Sequence, residues 1–131
     1  MQQLIKSLLV NTIQKIGFPF VFVIITLGSL LPSEEIPKEI EVISDKWIHF
    51  CMYLGFNISF FYYWIQKQTS KRNSAILIYS TGISIFYGIL MEVLQYYFVP
   101  GRYGDILDVI ANTIGASLAW LLLYFLGKGK N

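Results

Sequence analysis

The stretch DILDVIANTIGASLAWLLLYFL, Asp105 to Leu126, decides the fold. An α-helix rises about 1.5 Å per residue, so about 20 apolar residues cross a hydrocarbon core about 30 Å thick. This stretch has that length, and its polar residues gather at one end. Asp105, Asp108 and Asn112 are spaced i, i+3 and i+7, a stripe along one helix face. Gly115 continues it at a position where a small residue favours close helix packing.

Three further segments read the same way: about Asn11 to Leu31, Asp45 to Ile65 and Ser74 to Val99. The first contains Pro19, where a kink is expected, and residues 1–10 read as a separate interfacial turn. Ser44 or Asp45 can cap the second helix, and Pro100-Gly101 breaks the chain after the third. The 131 residues are 55% hydrophobic and 14% charged, with a mean hydropathy of +0.56. A soluble domain carries about 25% charged residues, so the expected class is all-α, a polytopic membrane four-helix bundle in one domain. Function then belongs to the bundle or its rims.

Loop charges orient the bundle. Lys67, Lys71 and Arg72 lie between the second and third spans, and Lys6, Lys15, Lys128 and Lys130 flank the termini. Glu34, Glu35, Glu39 and Glu41 lie between the first and second spans, with Lys38 as the one base. The positive-inside rule places both termini in the cytoplasm and the acidic loop outside. No small-residue cleavage pattern follows Phe18 to Leu31, so an uncleaved first span is expected. Cys51 is the one cysteine, which excludes an intrachain disulfide and paired-cysteine metal sites; it reads as a small packing residue.

In this topology three polar groups meet at the outer rim. Asp45, Lys46 and His49 open the second helix, Glu92 and Gln95 close the third, and Arg102, Asp105, Asp108 and Asn112 surround the start of the fourth. His49 falls about 6 Å below Asp45, and Glu92 about 10 Å below the end of its helix. Ionised groups within a span cost at least about 2.5 to 3.5 kcal/mol each, so they are read as paired and functional. A purely structural reading would pair Arg102 with Asp105 and Lys46 with Glu92, and use Asn112 as an interhelical hydrogen bonder. Trp47, Tyr96, Tyr97 and Tyr103 read as the outer aromatic belt, and Tyr62, Tyr63 and Trp64 as the inner one.

The combination Asp45-Lys46-x-x-His49-Phe50-x-x-Tyr53, Glu92-x-x-Gln95, and Gly101-Arg102 leading to Asp105, Asp108, Asn112 and Gly115 resembles the VanZ-like family of small bacterial membrane proteins. The resemblance implies a short multi-helix domain across residues 1–131, in a bacterial inner membrane. The family takes its name from a protein associated with low-level teicoplanin resistance. Its members have no established reaction, so the resemblance says more about fold than activity.

The leading expectation is an outward-facing site for an amphipathic envelope molecule, a lipid phosphate or a lipid-linked cell-wall precursor. Lys46 and Arg102 suit a phosphate, Arg bidentately. His49, Glu92 and Asp108 are the candidate acid–base residues of a headgroup hydrolase or transferase. Asp45, Lys46, Gln95, Arg102, Asp105 and Asn112 are the candidate ligand contacts. Metal-assisted hydrolysis through Glu92, Asp105, Asp108 and His49 ranks below plain binding, because no recognised metal motif is present and Arg102 and Lys46 could equally neutralise Asp105 and Asp108. The sequence names no cofactor and no protein partner. The competing class is a non-enzymatic accessory protein whose cluster only locks the helices. A transporter or proton channel would need ionisable groups through the inner halves of the spans, which hold aromatic, aliphatic and small hydroxyl residues instead. The basic residues mark topology and form no nucleic-acid patch.

Overall fold

The computed structural model describes residues 1–30, 38–66, 73–101 and 104–128, without the side chains of residues 2–4, 6, 9, 38–44, 73 and 128. Arg102 and Tyr103, the basic connection at 67–72 and Glu34 and Glu35 lie outside the described residues. Four helices make up the described chain: α1 (Gln2–Leu30), α2 (Lys38–Ile65), α3 (Asn73–Phe98) and α4 (Ile106–Lys128). The fold is an all-α bundle.

The exposed surface is apolar and much of the polar chemistry is inside. Phe86, Ile110, Leu121 and Phe125 face outward, while His49, Asn57, Ser80, Ser84, Glu92, Asp108 and Asn112 are buried. Water as solvent would favour the reverse, and lipid favours this arrangement. Val10–Leu30, Ser74–Phe98 and Ile106–Gly127 are each long and apolar enough to cross a membrane. The chain is therefore a membrane protein. α2 has the length but is more polar, and its position accounts for this. It packs against α1, α3 and α4, whereas α1 and α4 do not meet among the described residues. Lys46, His49 and Asn57 thus find protein partners rather than lipid.

α1 differs from expectation at its start. It is continuous from Gln2, with no separate turn over residues 1–10. Nothing from Gln2 to Val10 breaks a helix, and Leu, Ile, Lys and Gln all propagate one. The helix also runs through Pro19, which removes only the backbone bond to Lys15.

Close packing fixes how α2 meets α4. A Cβ at Gly115 would run into the backbone carbonyl of Phe50 and come within 3.1 Å of the Leu54 nitrogen. Lys46, Phe50 and Leu54 are spaced i, i+4 and i+8, so one stripe of α2 lies on α4. Cys51, next to that stripe, is exposed. It belongs to the outward face with Trp47, four residues earlier, and is not a packing residue. Gly88 is the other close approach, where a Cβ would come within 3.1 Å of both Asn112 and Tyr53.

Two apolar clusters hold the bundle below the polar end. Ile25, Tyr53, Phe56, Tyr87 and Met91 join α1, α2 and α3, with Phe56 stacked on Tyr87 at 5.2 Å. Phe61, Leu77 and Leu123 join α2, α3 and α4.

Candidate functional site

Asp45, Lys46, His49, Glu92, Asp105, Asp108 and Asn112 come together where α2, about two to three turns after its start at Lys38, meets the end of α3 and the start of α4. Ser44 and Asp45 therefore lie within α2 and do not cap it. The local chain geometry explains their placement. Gly101 adopts φ +81°, a left-handed conformation natural to glycine, and turns the chain after α3. Gly104 passes within van der Waals reach of Tyr96 and the Glu92 carbonyl, which seats Asp105 beside the end of α3. Asp105 then caps α4. Its Oδ1 accepts the Leu107 amide at 2.8 Å, and its carbonyl accepts the Asp108 amide at 3.0 Å.

Lys46 forms the cationic centre. Its Nζ donates to Asp105 Oδ2 at 2.6 Å and to Asp108 Oδ1, with Asp45 Oδ2 at 3.9 Å. This is not the Lys46–Glu92 pair of the purely structural reading but the neutralisation of Asp105 and Asp108 that the sequence also allowed, because the stripe carrying Lys46 faces α4 rather than α3. Asp105 precedes the span Ile106–Gly127, and the Lys46 hydrogen bond holds its carboxyl below the usual carboxylate range.

His49 forms the buried centre. Its Nδ1 lies 3.0 Å from Asn112 Oδ1 and 3.6 Å from Glu92 Oε1. Its Nε2 looks the other way, 3.7 Å from Asp45 Oδ1 and 4.0 Å from Asp108 Oδ2. Glu92 is 4% exposed, and neither of its carboxylate oxygens completes a hydrogen bond; the Asp105 backbone amide stands close by. The Tyr53 hydroxyl and Asn112 Nδ2 are likewise buried without a partner. Buried polar groups are ordinarily satisfied, so orphans crowded into one place need an explanation. Among the described residues, four carboxylates face one ammonium and one imidazole here. Acidic side chains outnumber basic ones in the cluster.

Gln95 is drawn elsewhere. Its Nε2 donates to the Ser29 carbonyl of α1 at 2.8 Å, so it ties α3 to α1 instead of joining His49. α1 therefore supplies hydrogen bonds as well as a wall, a second one joining Thr26 Oγ1 and the Tyr87 hydroxyl at 2.6 Å. Sequence reasoning passed over Asn57, which is fully buried and donates to Thr81 Oγ1 and the Ala116 carbonyl. Its signal was present: Asp45, His49, Tyr53 and Asn57 recur every fourth residue along one face of α2.

A cluster of acids, a lysine and a histidine set in one end of an apolar helical bundle defines an α-helical membrane protein with buried polar side chains. The chain belongs to the VanZ/LLP1 family, which it matches over residues 3–127. It is also 34% identical over 80 residues to a protein of fission yeast, Schizosaccharomyces pombe (strain 972 / ATCC 24843), named Uncharacterized protein C11E3.10. That likeness covers 61% of this chain and 46% of the yeast protein, so it spans under half of the relative's length. No solved structure matches it.

Proposed function

We propose that the polar end of the bundle binds the phosphate-bearing headgroup of a membrane amphiphile, a lipid phosphate or a lipid-linked cell-wall precursor, at the outer face of a bacterial inner membrane. The observation that carries this reading is Glu92, buried without a hydrogen bond beside His49. A carboxyl buried without a hydrogen bond costs free energy, and a site awaiting a ligand is a reason to retain one. Asp45 and Asp105 are the more exposed acids and form the mouth, with Asp108, His49 and Glu92 behind them. A headgroup entering from the interface meets them in that order.

The chemistry assigned to these residues is acid–base. His49 takes or gives a proton, and Glu92 and Asp108 set its charge from either side. A hydrolase or transferase acting on the headgroup would use this group, whereas a carrier or sensor would use only the binding contacts. Lys46 is already engaged by Asp105 and Asp108, so a phosphate must displace one of them or arrive with its own cation. Arg102 is the second base assigned to the phosphate. A link to teicoplanin follows if the bound amphiphile is a cell-wall precursor, and deletion of the gene would then change sensitivity to the antibiotic.

A second reading is favoured by a different observation. The Lys46 bridge and the Gln95–Ser29 bond both join helices, as an accessory protein with a locking cluster would require. Lipids extracted from purified wild type, Glu92→Gln and His49→Ala, compared by mass spectrometry, separate the two. Headgroup binding predicts a polar phospholipid enriched in wild type and absent from both variants. Identical lipid profiles in all three would contradict it.

A further inference from the structure

We propose that Asp45, His49 and Asp108 bind a divalent cation, of the Mn2+ or Zn2+ type, at the mouth of this site. One donor atom from each of the three lies within 4.8 Å of the others. The atoms come from α2 and α4, so the arrangement exists only in the folded bundle. Bonds of about 2.0 to 2.2 Å to nitrogen and oxygen place neighbouring donors about 3 Å apart. The separations of 3.7 Å and 4.0 Å around His49 Nε2 are slightly wider, and modest side-chain adjustment closes them.

Three observations beyond the acidic cluster point to a cation. The first is the tautomer that the hydrogen bonding assigns to His49. With Asn112 Oδ1 facing Nδ1, the ring proton belongs on Nδ1 and the Nε2 lone pair looks at two carboxylate oxygens. A lone pair opposed to two carboxylates is relieved by a positive centre between them, a second ring proton or a metal ion, and the separations of 3.7 Å and 4.0 Å exceed those of ordinary hydrogen bonds. A histidine whose far nitrogen is held by a hydrogen bond is also the usual form of a metal-binding histidine. The second is Glu92, unpartnered, over nine-tenths buried and directed at the same ring. It stands 3.6 Å from Nδ1, on the other side of the ring from Nε2, and so lies outside the immediate ligand set. The third is Asp108, whose Oδ1 takes Lys46 and leaves Oδ2 turned to His49. Lys46 thus aims the carboxylate instead of capping it.

The donor set narrows the ion. One imidazole with carboxylate oxygens suits Mn2+ or Zn2+; Mg2+ and Ca2+ favour oxygen alone, and Cu+ favours thiolate or thioether ligands. Two carboxylates leave coordination positions for water or for a phosphate oxygen. The cation would then offset the acidic cluster and admit a phosphate headgroup, a consequence that rests on the proposed function. The cation site itself does not.

The test uses tag-free full-length protein in detergent, stripped with a chelator and titrated with Mn2+. Electron paramagnetic resonance should show about one tightly bound ion per chain, displaced by Zn2+. His49 is the one histidine in the chain, so an imidazole nitrogen coupling in the pulsed spectrum of wild type assigns it without any variant. Asp45→Asn should weaken binding at least about tenfold, while Asp105→Asn, at a carboxylate outside the ligand set, should retain the imidazole coupling. No bound Mn2+ in wild type, bound Mn2+ without that coupling, or binding unchanged by Asp45→Asn would each overturn the proposal. Dioleoyl phosphatidate retention, measured in parallel, addresses the headgroup reading separately. Coupled Mn2+ with no phosphatidate retained removes the headgroup and leaves the cation. Phosphatidate retained by protein that binds no Mn2+ removes the cation alone.

Discussion

Asn57 and Glu92 are both buried polar residues of this bundle, and they stand in opposite circumstances. Asn57, midway along α2, donates to Thr81 on α3 and to the Ala116 carbonyl on α4, so a neutral side chain joins three helices. Glu92, near the polar end of α3, completes no hydrogen bond. Around Asn57 lie aromatic rings and small hydroxyls bonded to their own helix, as Ser80 is to Leu77 and Ser84 to Ser80. Around Glu92 lie a histidine, three further acids and a lysine. Polarity inside a membrane protein does two different jobs here. Asn57 fastens helices through its two donated bonds although its own Oδ1 is left without a partner, whereas at Glu92 neither carboxyl oxygen is bonded and no side-chain hydrogen bond fastens the helices through it. Reduced to polar positions on a helical wheel, the two regions look alike.

The largest effect should come from the contact that sets both regions in place. Gly115→Ala drives a methyl group into the Phe50 backbone, which has no rotamer to yield. Overpacking of this kind costs about 3 kcal/mol, and the melting temperature in detergent should fall sharply, with loss of the Asn57 bonds and of the polar end together. A Gly115→Ala protein with wild-type stability would show that α2 and α4 do not approach as described.

Next come changes to Lys46. Lys46→Met leaves Asp105 and Asp108 without their shared cation. Breaking a buried pair costs about 3 to 5 kcal/mol, but Lys46 and Asp105 keep partial access to solvent, so about 2 kcal/mol is expected. Thermal melts at neutral pH and at pH 4 check the cause. Protonating the acids should narrow the gap between variant and wild type, and a gap that does not change with pH would assign the loss to packing. The smallest effect belongs outside both regions: Cys51→Ala, on the exposed face of α2, should alter stability by no more than about 0.5 kcal/mol.

Much of this was legible before the fold was seen, and what was not has a common cause. Within a helix, spacing is determined by the chain, so Asp45 with His49, and Asp108 with Asn112 and Gly115, could be read directly as stripes. Which helix a stripe faces is decided by packing. Lys46 therefore found Asp105 and Asp108 on α4 rather than Glu92 on α3. Gln95 went to a backbone carbonyl of α1, a partner without any sequence signature. Gly88 shows the same limit. The need for a bare Cα there comes from Tyr53 and Asn112, residues of two other helices. Cys51 was assigned to the interior from its residue type, but its helix face turns it outward.

The contrast between Asn57 and Glu92 is tested most directly by Asn57→Ala and Glu92→Gln measured together, each for melting temperature in detergent and for phospholipid retained after purification. Asn57→Ala strands the groups it served and should cost about 1 to 3 kcal/mol, with retained lipid unchanged in the protein that stays folded. Glu92→Gln replaces a buried carboxyl that has no hydrogen-bond partner with an amide of the same shape, so its melting temperature should hold or rise while the retained lipid is lost. The opposite pattern, with Glu92→Gln unstable but still carrying the lipid, would contradict the account and make the polar end a fastening like Asn57.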